Sequence, residues 1–251
     1  MGQGMRRLEA EGTRRLEDQA TRRLEALLFD FDHTLADFGR WVDWKAVRAD
    51  VASLYASAGT DAEAIIRRTG AFAIIAALDE DVARRHSRAR ADELRAEAFA
   101  IIEGHECTGA ARTSLLPGAA AAVAAAERAG LGLAIVSANA ARAIRIALER
   151  LGLAERFAAI IGRTASLALK PAPDMYQEAL RILGTAPAAA LAVGDSPNDM
   201  RGAGAAGILS IGVSGGEGRP EELFESGACY VLADLTALPT LLALWARAAE
   251  R

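Results

Sequence analysis

Two aspartates, Asp30 and Asp32, end a short apolar run, Ala-Leu-Leu-Phe-Asp-Phe-Asp, that begins at Ala26. Strand alternation points both side chains to one face unless the chain bends there. One carboxylate can attack while the other carries protons. Aspartate is a covalent nucleophile for phosphoryl groups, but a dianionic phosphate repels it, so a divalent cation must neutralise charge between them. A second pair, Asp195 and Asp199, stands in Gly-Asp-Ser-Pro-Asn-Asp after the run Leu-Ala-Val. Carboxylates supply the hard oxygen ligands that magnesium prefers. Ser137 ends another apolar run, Leu-Ala-Ile-Val, and with the amides that follow it offers hydrogen-bond donors to phosphate oxygens. Lys170, in Leu-Lys-Pro-Ala-Pro-Asp, adds a point positive charge that can bind phosphate and hold the nucleophile.

These groups meet only if the elements carrying them are parallel and end on one side. Short apolar runs recur at Leu131 to Val136, Ala158 to Ile161, Ala190 to Val193, Ile208 to Val213 and Tyr230 to Leu232. Helical stretches rich in Ala, Arg, Glu and Leu lie between most of them, at Gly118 to Ala129, Ala140 to Leu151 and Pro173 to Leu183. This alternation predicts an α/β fold with a doubly wound parallel sheet, whose strand ends on one side converge. Residues 38–114 break the pattern: they hold no convincing strand and read as several helices, with Gly59, Gly70 and Gly104 as candidate breaks. A block of that length is too large for a βα loop, so it predicts a helical cap inserted into a core made of residues 26–37 and 115–251.

Asp-Phe-Asp-His-Thr-Leu, the Ser137 strand end, Lys170-Pro171 and Gly-Asp-Ser-Pro-Asn-Asp, in that order, resemble the four motifs of the haloacid dehalogenase superfamily. The resemblance runs from about residue 26 to the end. Within it, Lys-Pro-Ala-Pro-Asp-Met-Tyr-Gln-Glu-Ala-Leu resembles the phosphoglycolate-phosphatase-like subgroup, whose helical caps follow the first motif. The resemblance implies that Asp30 forms an aspartyl-phosphate, and that Asp32 protonates the leaving alcohol and then activates water. It implies Mg2+ held by Asp30, the Asp32 backbone carbonyl and Asp195, with Asp199 a ligand or an orienter. Ser137 and the Ala138 amide would grip the phosphoryl group, and Lys170 would offset its charge. Dehalogenases of this superfamily lack the second aspartate and phosphonatases replace it with a small residue, so Asp32 favours a magnesium-dependent phosphatase acting on a small phosphorylated metabolite. Sugar-phosphate mutases of the family keep both aspartates and stand as the enzymatic alternative; a non-catalytic phosphate-binding interaction protein is the other. The position after the second aspartate is often Gly in the family and is His33 here.

The remaining features read more plainly. A net charge of −4 on 251 residues gives no broad basic field, which argues against a nucleic-acid partner. The 52% hydrophobic content suffices for a substantial core, and no apolar run is long enough for a membrane span, so a cytoplasmic, soluble protein is expected. Cys107 and Cys229 are in neither metal-ligand nor redox spacing. Arg-Arg-Leu-Glu occurs three times in residues 1–25, its six arginines offset by five acids, and reads as a mobile or helical extension. Gly202, Gly204 and Gly207 match a dinucleotide fingerprint by letter, but they end a helix and open a strand, the reverse of the true motif. Trp41, Trp44, Lys45, Arg48, Arg67 and Arg68 are candidates for touching substrate, with packing and a solvated face the plainer reading. His86 and His105 read as surface or structural residues.

Overall fold

The computed structural model of the chain describes residues 23–62 and 71–249. Most of the Arg-Arg-Leu-Glu extension, together with Arg67, Arg68 and Gly70, lies outside the described residues. Six strands, β1 (Ala26–Phe29), β2 (Gly132–Val136), β3 (Ala159–Ile161), β4 (Ala190–Gly194), β5 (Leu209–Val213) and β6 (Tyr230–Leu232), form one parallel sheet in the order β3-β2-β1-β4-β5-β6. This is the doubly wound sheet that the alternation predicts. Pairing starts one residue earlier than expected: the Glu25 amide donates to Ala189 O at 2.8 Å, and the Gly132 amide donates to Glu25 O at 2.8 Å. Glu25 therefore belongs with the sheet and not with the extension.

The described helices are α1 (Trp44–Ala56), α2 (Ala71–Arg85), α3 (Arg88–Ala110), α4 (Ala119–Arg128), α5 (Ala141–Arg150), α6 (Asp174–Leu183), α7 (Pro197–Ala205), α8 (Pro220–Glu225) and α9 (Leu238–Ala249). The strands read as nearly continuous apolar runs because helices cover both faces of the sheet. Leu27 and Phe29 pack in a cluster with Val123, Ile144 and Leu242, from α4, α5 and α9. Ala26 and Leu28 pack on the other face with Tyr176 and Ala203, from α6 and α7. The glycines of the apparent fingerprint lie in α7 and in the turn before β5, as the sequence order implied.

Between β1 and α4 the chain leaves the sheet and builds α1, α2 and α3. Ser87 caps α3 by accepting the Arg90 amide, and Asp43 caps α1 by accepting the Ala46 amide, which satisfies donors that the helix itself leaves open. Gly59 follows the end of α1, but Gly104 breaks nothing: α3 runs through it. One glycine costs a helix about 1 kcal/mol, and the buried stripe of Leu94, Ala98 and Ile102 outweighs that. The outgoing and returning segments are stitched together. Ala36 bridges Leu115, Asp37 N donates to Ser114 O at 3.0 Å, and the Ser114 amide donates to the Asp37 carboxylate at 2.6 Å.

Candidate active site

The strand order reverses between β1 and β4, and the crevice beyond the carboxyl ends at such a point is where doubly wound sheets bind ligands. Register brings the needed residues there: Phe29 pairs with Ile135 on one side and Val193 on the other. Asp30, Ser137 and Asp195 thus leave neighbouring strand ends. Oxygens of Asp30, Asp195 and Asp199 all lie within 4.8 Å of one another, and all three residues are buried.

Lys170 reaches into this cluster from the loop before α6. Its Nζ donates to Asp30 Oδ1 at 2.7 Å, to Val136 O at 3.0 Å and to Asp199 Oδ1. The other Asp199 oxygen accepts from the Ser196 amide at 3.0 Å and the Ser196 hydroxyl at 2.7 Å, closing a capping box at the start of α7. Asp199 is therefore held by the same helix start that it helps to cap. Thr34 Oγ1 donates to Asp195 Oδ1 at 3.2 Å, and the Glu217 amide donates to Asp195 Oδ2 at 2.7 Å. A Cβ added at Gly216 would stand 2.1 Å from Asp195 Oδ2, so the backbone can pass here only as glycine.

Among the described residues, Asp30 and Asp199 share one ammonium while Asp195 bonds none, and the imbalance appears in the acidities of Asp30 and Asp195. Burial pushes the Asp30 carboxyl up to about 6 against the opposing pull of Lys170, with Asp199 adding to the rise. Burial pushes Asp195 up to about 8, and the charges of Asp30 and Asp199 add to it. Burial alone would lower the Lys170 ammonium, but Asp199 and Asp30 outweigh it and hold it well above its ordinary value. Among the described residues no cation pairs with Asp195. A divalent cation fits this donor set: hard, closely spaced oxygens that carry more negative charge than the protein neutralises.

Asp32 points elsewhere. The chain bends after β1, and the Asp32 carboxylate accepts the Gly39 amide at 2.7 Å, outside the carboxylate cluster. Burial raises its carboxyl while the Gly39 hydrogen bond lowers it. His33 takes a left-handed backbone at φ 58, which explains why glycine suits this place, and its Nε2 lies 3.9 Å from Asp32 Oδ2. A Cβ at Gly39 would stand 2.3 Å from Asp32 Oδ2. Gly39→Ala should therefore push the carboxylate away and lower kcat by on the order of 10²-fold, since a 1 Å displacement of a positioned group has that effect. Steady-state kinetics beside a thermal melt will check it; wild-type kcat in the folded variant would count against a working role for Asp32.

Ser137 is buried, and its hydroxyl donates to Asn139 Oδ1 at 3.0 Å. The Ala138 carbonyl accepts from Arg163 at 2.7 Å. A cleft of about 670 Å³ reaches Lys170 between the helical insert and the sheet domain. Ile75, Asp79, Arg95 and Phe99 form one wall, and residues 164–171 with Asn198 form the other. Of the insert residues singled out in the sequence, the described ones, Trp41, Trp44, Lys45 and Arg48, are not on that wall. Trp41 packs under Arg112 with the guanidinium 4.1 Å from its ring centre, Trp44 Nε1 donates to Gly39 O at 2.9 Å, and Lys45 and Arg48 are exposed. His86 bonds Ala58 O and His105 bonds Asp50, each at 2.8 Å, away from the cluster. Both cysteines are free thiols. No described helix is long and apolar enough to cross a membrane. Sequence reading missed Thr34, Gly39, Asn139, Glu106 and Arg163. Of these only Thr34, inside the first motif, carried a local signal.

Residues 24–207 match the haloacid dehalogenase-like hydrolase family. A phosphoglycolate phosphatase of Neisseria gonorrhoeae is 45% identical over 71 residues, covering 28% of this chain and 30% of that protein. A phosphoglycolate phosphatase of Rhodospirillum rubrum is 34% identical over 128 residues, covering 51% of this chain and 53% of that protein. The chain thus spans about half or less of the length of these curated relatives. The crystal structure of CbbY from Rhodobacter sphaeroides in complex with phosphate is 28% identical with a TM-score of 0.58, covering 86% of this chain and 96% of that one. By sequence and by fold, the chain belongs to the haloacid dehalogenase-like hydrolases.

Proposed function

We propose that this protein is a magnesium-dependent phosphatase that hydrolyses a small phosphomonoester through an aspartyl-phosphate on Asp30. The observation that carries this reading is the buried set of Asp30, Asp195 and Asp199, two of them bonded to Lys170, which also lines a cleft of about 670 Å³. Asp30, Asp195, the Asp32 carbonyl and Asp199 would hold Mg2+, which when bound offsets charge between the carboxylates and the phosphoryl oxygens.

Lys170 fixes one Asp30 oxygen, leaving the other to attack phosphorus. The phosphoryl oxygens rest against Ser137, the Ala138 amide and the Lys170 ammonium. Asp32 gives its proton to the leaving alcohol, and as a carboxylate it then takes one from the water that releases phosphate. Burial raises the Asp32 carboxyl, which favours the acid form that the first step needs. The block from 38 to 114 acts as a cap: it encloses the cleft, excludes bulk water and presents Ile75 and Phe99 to the part of the substrate that does not react.

The test is a panel of phosphorylated metabolites, including phosphoglycolate, sugar phosphates and nucleoside monophosphates, assayed with and without Mg2+. Free phosphate should appear from at least one ester, and only with the metal. Isomerised sugar phosphate without free phosphate would assign a mutase, and tight phosphate binding without turnover of any ester would assign a binder.

A further inference from the structure

The helical insert touches the loop after β2 through a charge buried from water. Glu106 lies in the last turns of α3 and is fully buried. Its Oε1 accepts from Asn139 Nδ2 at 3.0 Å and from Arg163 at 3.2 Å. Its Oε2 accepts from the Ala140 amide at 3.0 Å and from Arg163 at 2.8 Å. Arg163, which follows β3 and is also buried, donates in addition to Ala138 O at 2.7 Å, and its guanidinium lies 5.2 Å from the Phe99 ring centre on α3.

Each contact sets part of residues 137–140. A carboxylate only accepts hydrogen bonds, so Asn139 must present its amino group to Glu106 and its oxygen to the Ser137 hydroxyl, 3.0 Å away. No side chain of its own loop caps α5, which starts after Ala140; the Glu106 carboxylate, brought from another part of the chain, takes that amide instead. Arg163 holds the Ala138 carbonyl and thereby the plane of the peptide that joins Ala138 to Asn139. Inside the loop only Ser137 and Asn139 bond each other; the other side-chain contacts come from Glu106 and Arg163.

We propose that Glu106 and Arg163 are positioning residues that hold the 137–140 loop in the shape in which Ser137 and Ala138 meet phosphate, and that tie the base of the cap to that loop. The inference rests on the reading of residues 137–138 as the phosphate grip.

A single replacement leaves an unpaired buried ion, so the main variant is the double change Glu106→Gln with Arg163→Met, which removes both charges together. Glu106→Asp, which keeps the charge and withdraws it by one methylene, is the second variant. Inorganic phosphate is the probe, read as its inhibition constant alongside KM, kcat, a thermal melt and the Mg2+-induced melting shift. Both variants should melt above the assay temperature, keep the Mg2+ shift of the untouched carboxylate cluster, and weaken phosphate inhibition by about tenfold or more, with a matching rise in KM. A purely structural pair would lower the melting temperature and leave the phosphate constant of the folded protein unchanged; that result, or failure of both variants to fold, overturns the proposal. Ser137→Ala separates the two levels. If it weakens phosphate inhibition and the Glu106 and Arg163 variants do not, the positioning role alone falls. If Ser137→Ala also has no effect, the phosphate-grip reading falls with it.

Discussion

Asp30→Asn is expected to reduce kcat by on the order of 10⁴-fold or more, the scale on which removal of a covalent nucleophile acts. Asparagine keeps the shape of the side chain but offers no anion to attack phosphorus. The same variant is expected to fold as well as the parent or better. Asp30 is buried, and its carboxyl is raised to about 6 by that burial, so the native protein holds an ionised group there against its solvation preference. Lys170 keeps Asp199 and Val136 O as partners when the Asp30 charge goes. Lost turnover with an equal or higher melting temperature is the signature of a residue kept for chemistry. A variant with parental kcat would remove Asp30 from the mechanism, and one that is inactive because it is unfolded would make the residue structural.

Mg2+ should stabilise the protein far more at about pH 8 than at about pH 5, because protons and the cation compete for the same carboxylates. The Asp30 and Asp195 carboxyls are raised by burial from 3.8 to about 6 and about 8, Asp30 despite the Lys170 ammonium beside it. A folded-state value above the unfolded one means that proton binding favours the folded state. That contribution is complete below about 3.8 and is lost as pH rises through about 6 and about 8. The chelator-treated protein should therefore melt at progressively lower temperature between about pH 5 and pH 8, and millimolar Mg2+ should flatten the decline. Asp195→Asn should remove most of the slope and most of the metal effect together. Parallel melting curves with and without Mg2+ across this range would show that the carboxylate cluster does not take the cation.

The strand ends were readable because their signals are local. A run of apolar residues closed by Asp30, by Ser137 or by Gly-Asp at Asp195 needs no knowledge of its neighbours, since a strand covered on both faces must be apolar along its length. The length of the 38–114 block predicts a helical insertion, and its described residues form α1, α2 and α3. Gly104 was misread because a helix break depends on what surrounds the glycine: in α3 the buried stripe on either side carries the helix through it. The helix α9 was not anticipated from its own residues, and its place in the core depends on Leu242 and Trp245 meeting the face formed by β1 and α4.

The sequence by itself determined the parallel α/β class, the order of the motifs and the identity of the groups that leave the strand ends, because alternation and apolar content are properties of neighbouring residues. Only the tertiary structure decided which of those groups meet. Lys170 finds Asp30 across 140 positions and Thr34 finds Asp195 across 161, while Asp32, two residues from Asp30, turns away to Gly39. Glu106, one acid among many on a long helix, becomes the cap of α5 only because packing buries it against the Ala140 amide and the Arg163 guanidinium. A charge taken out of water must find a partner, and where that partner waits is set by how the chain packs.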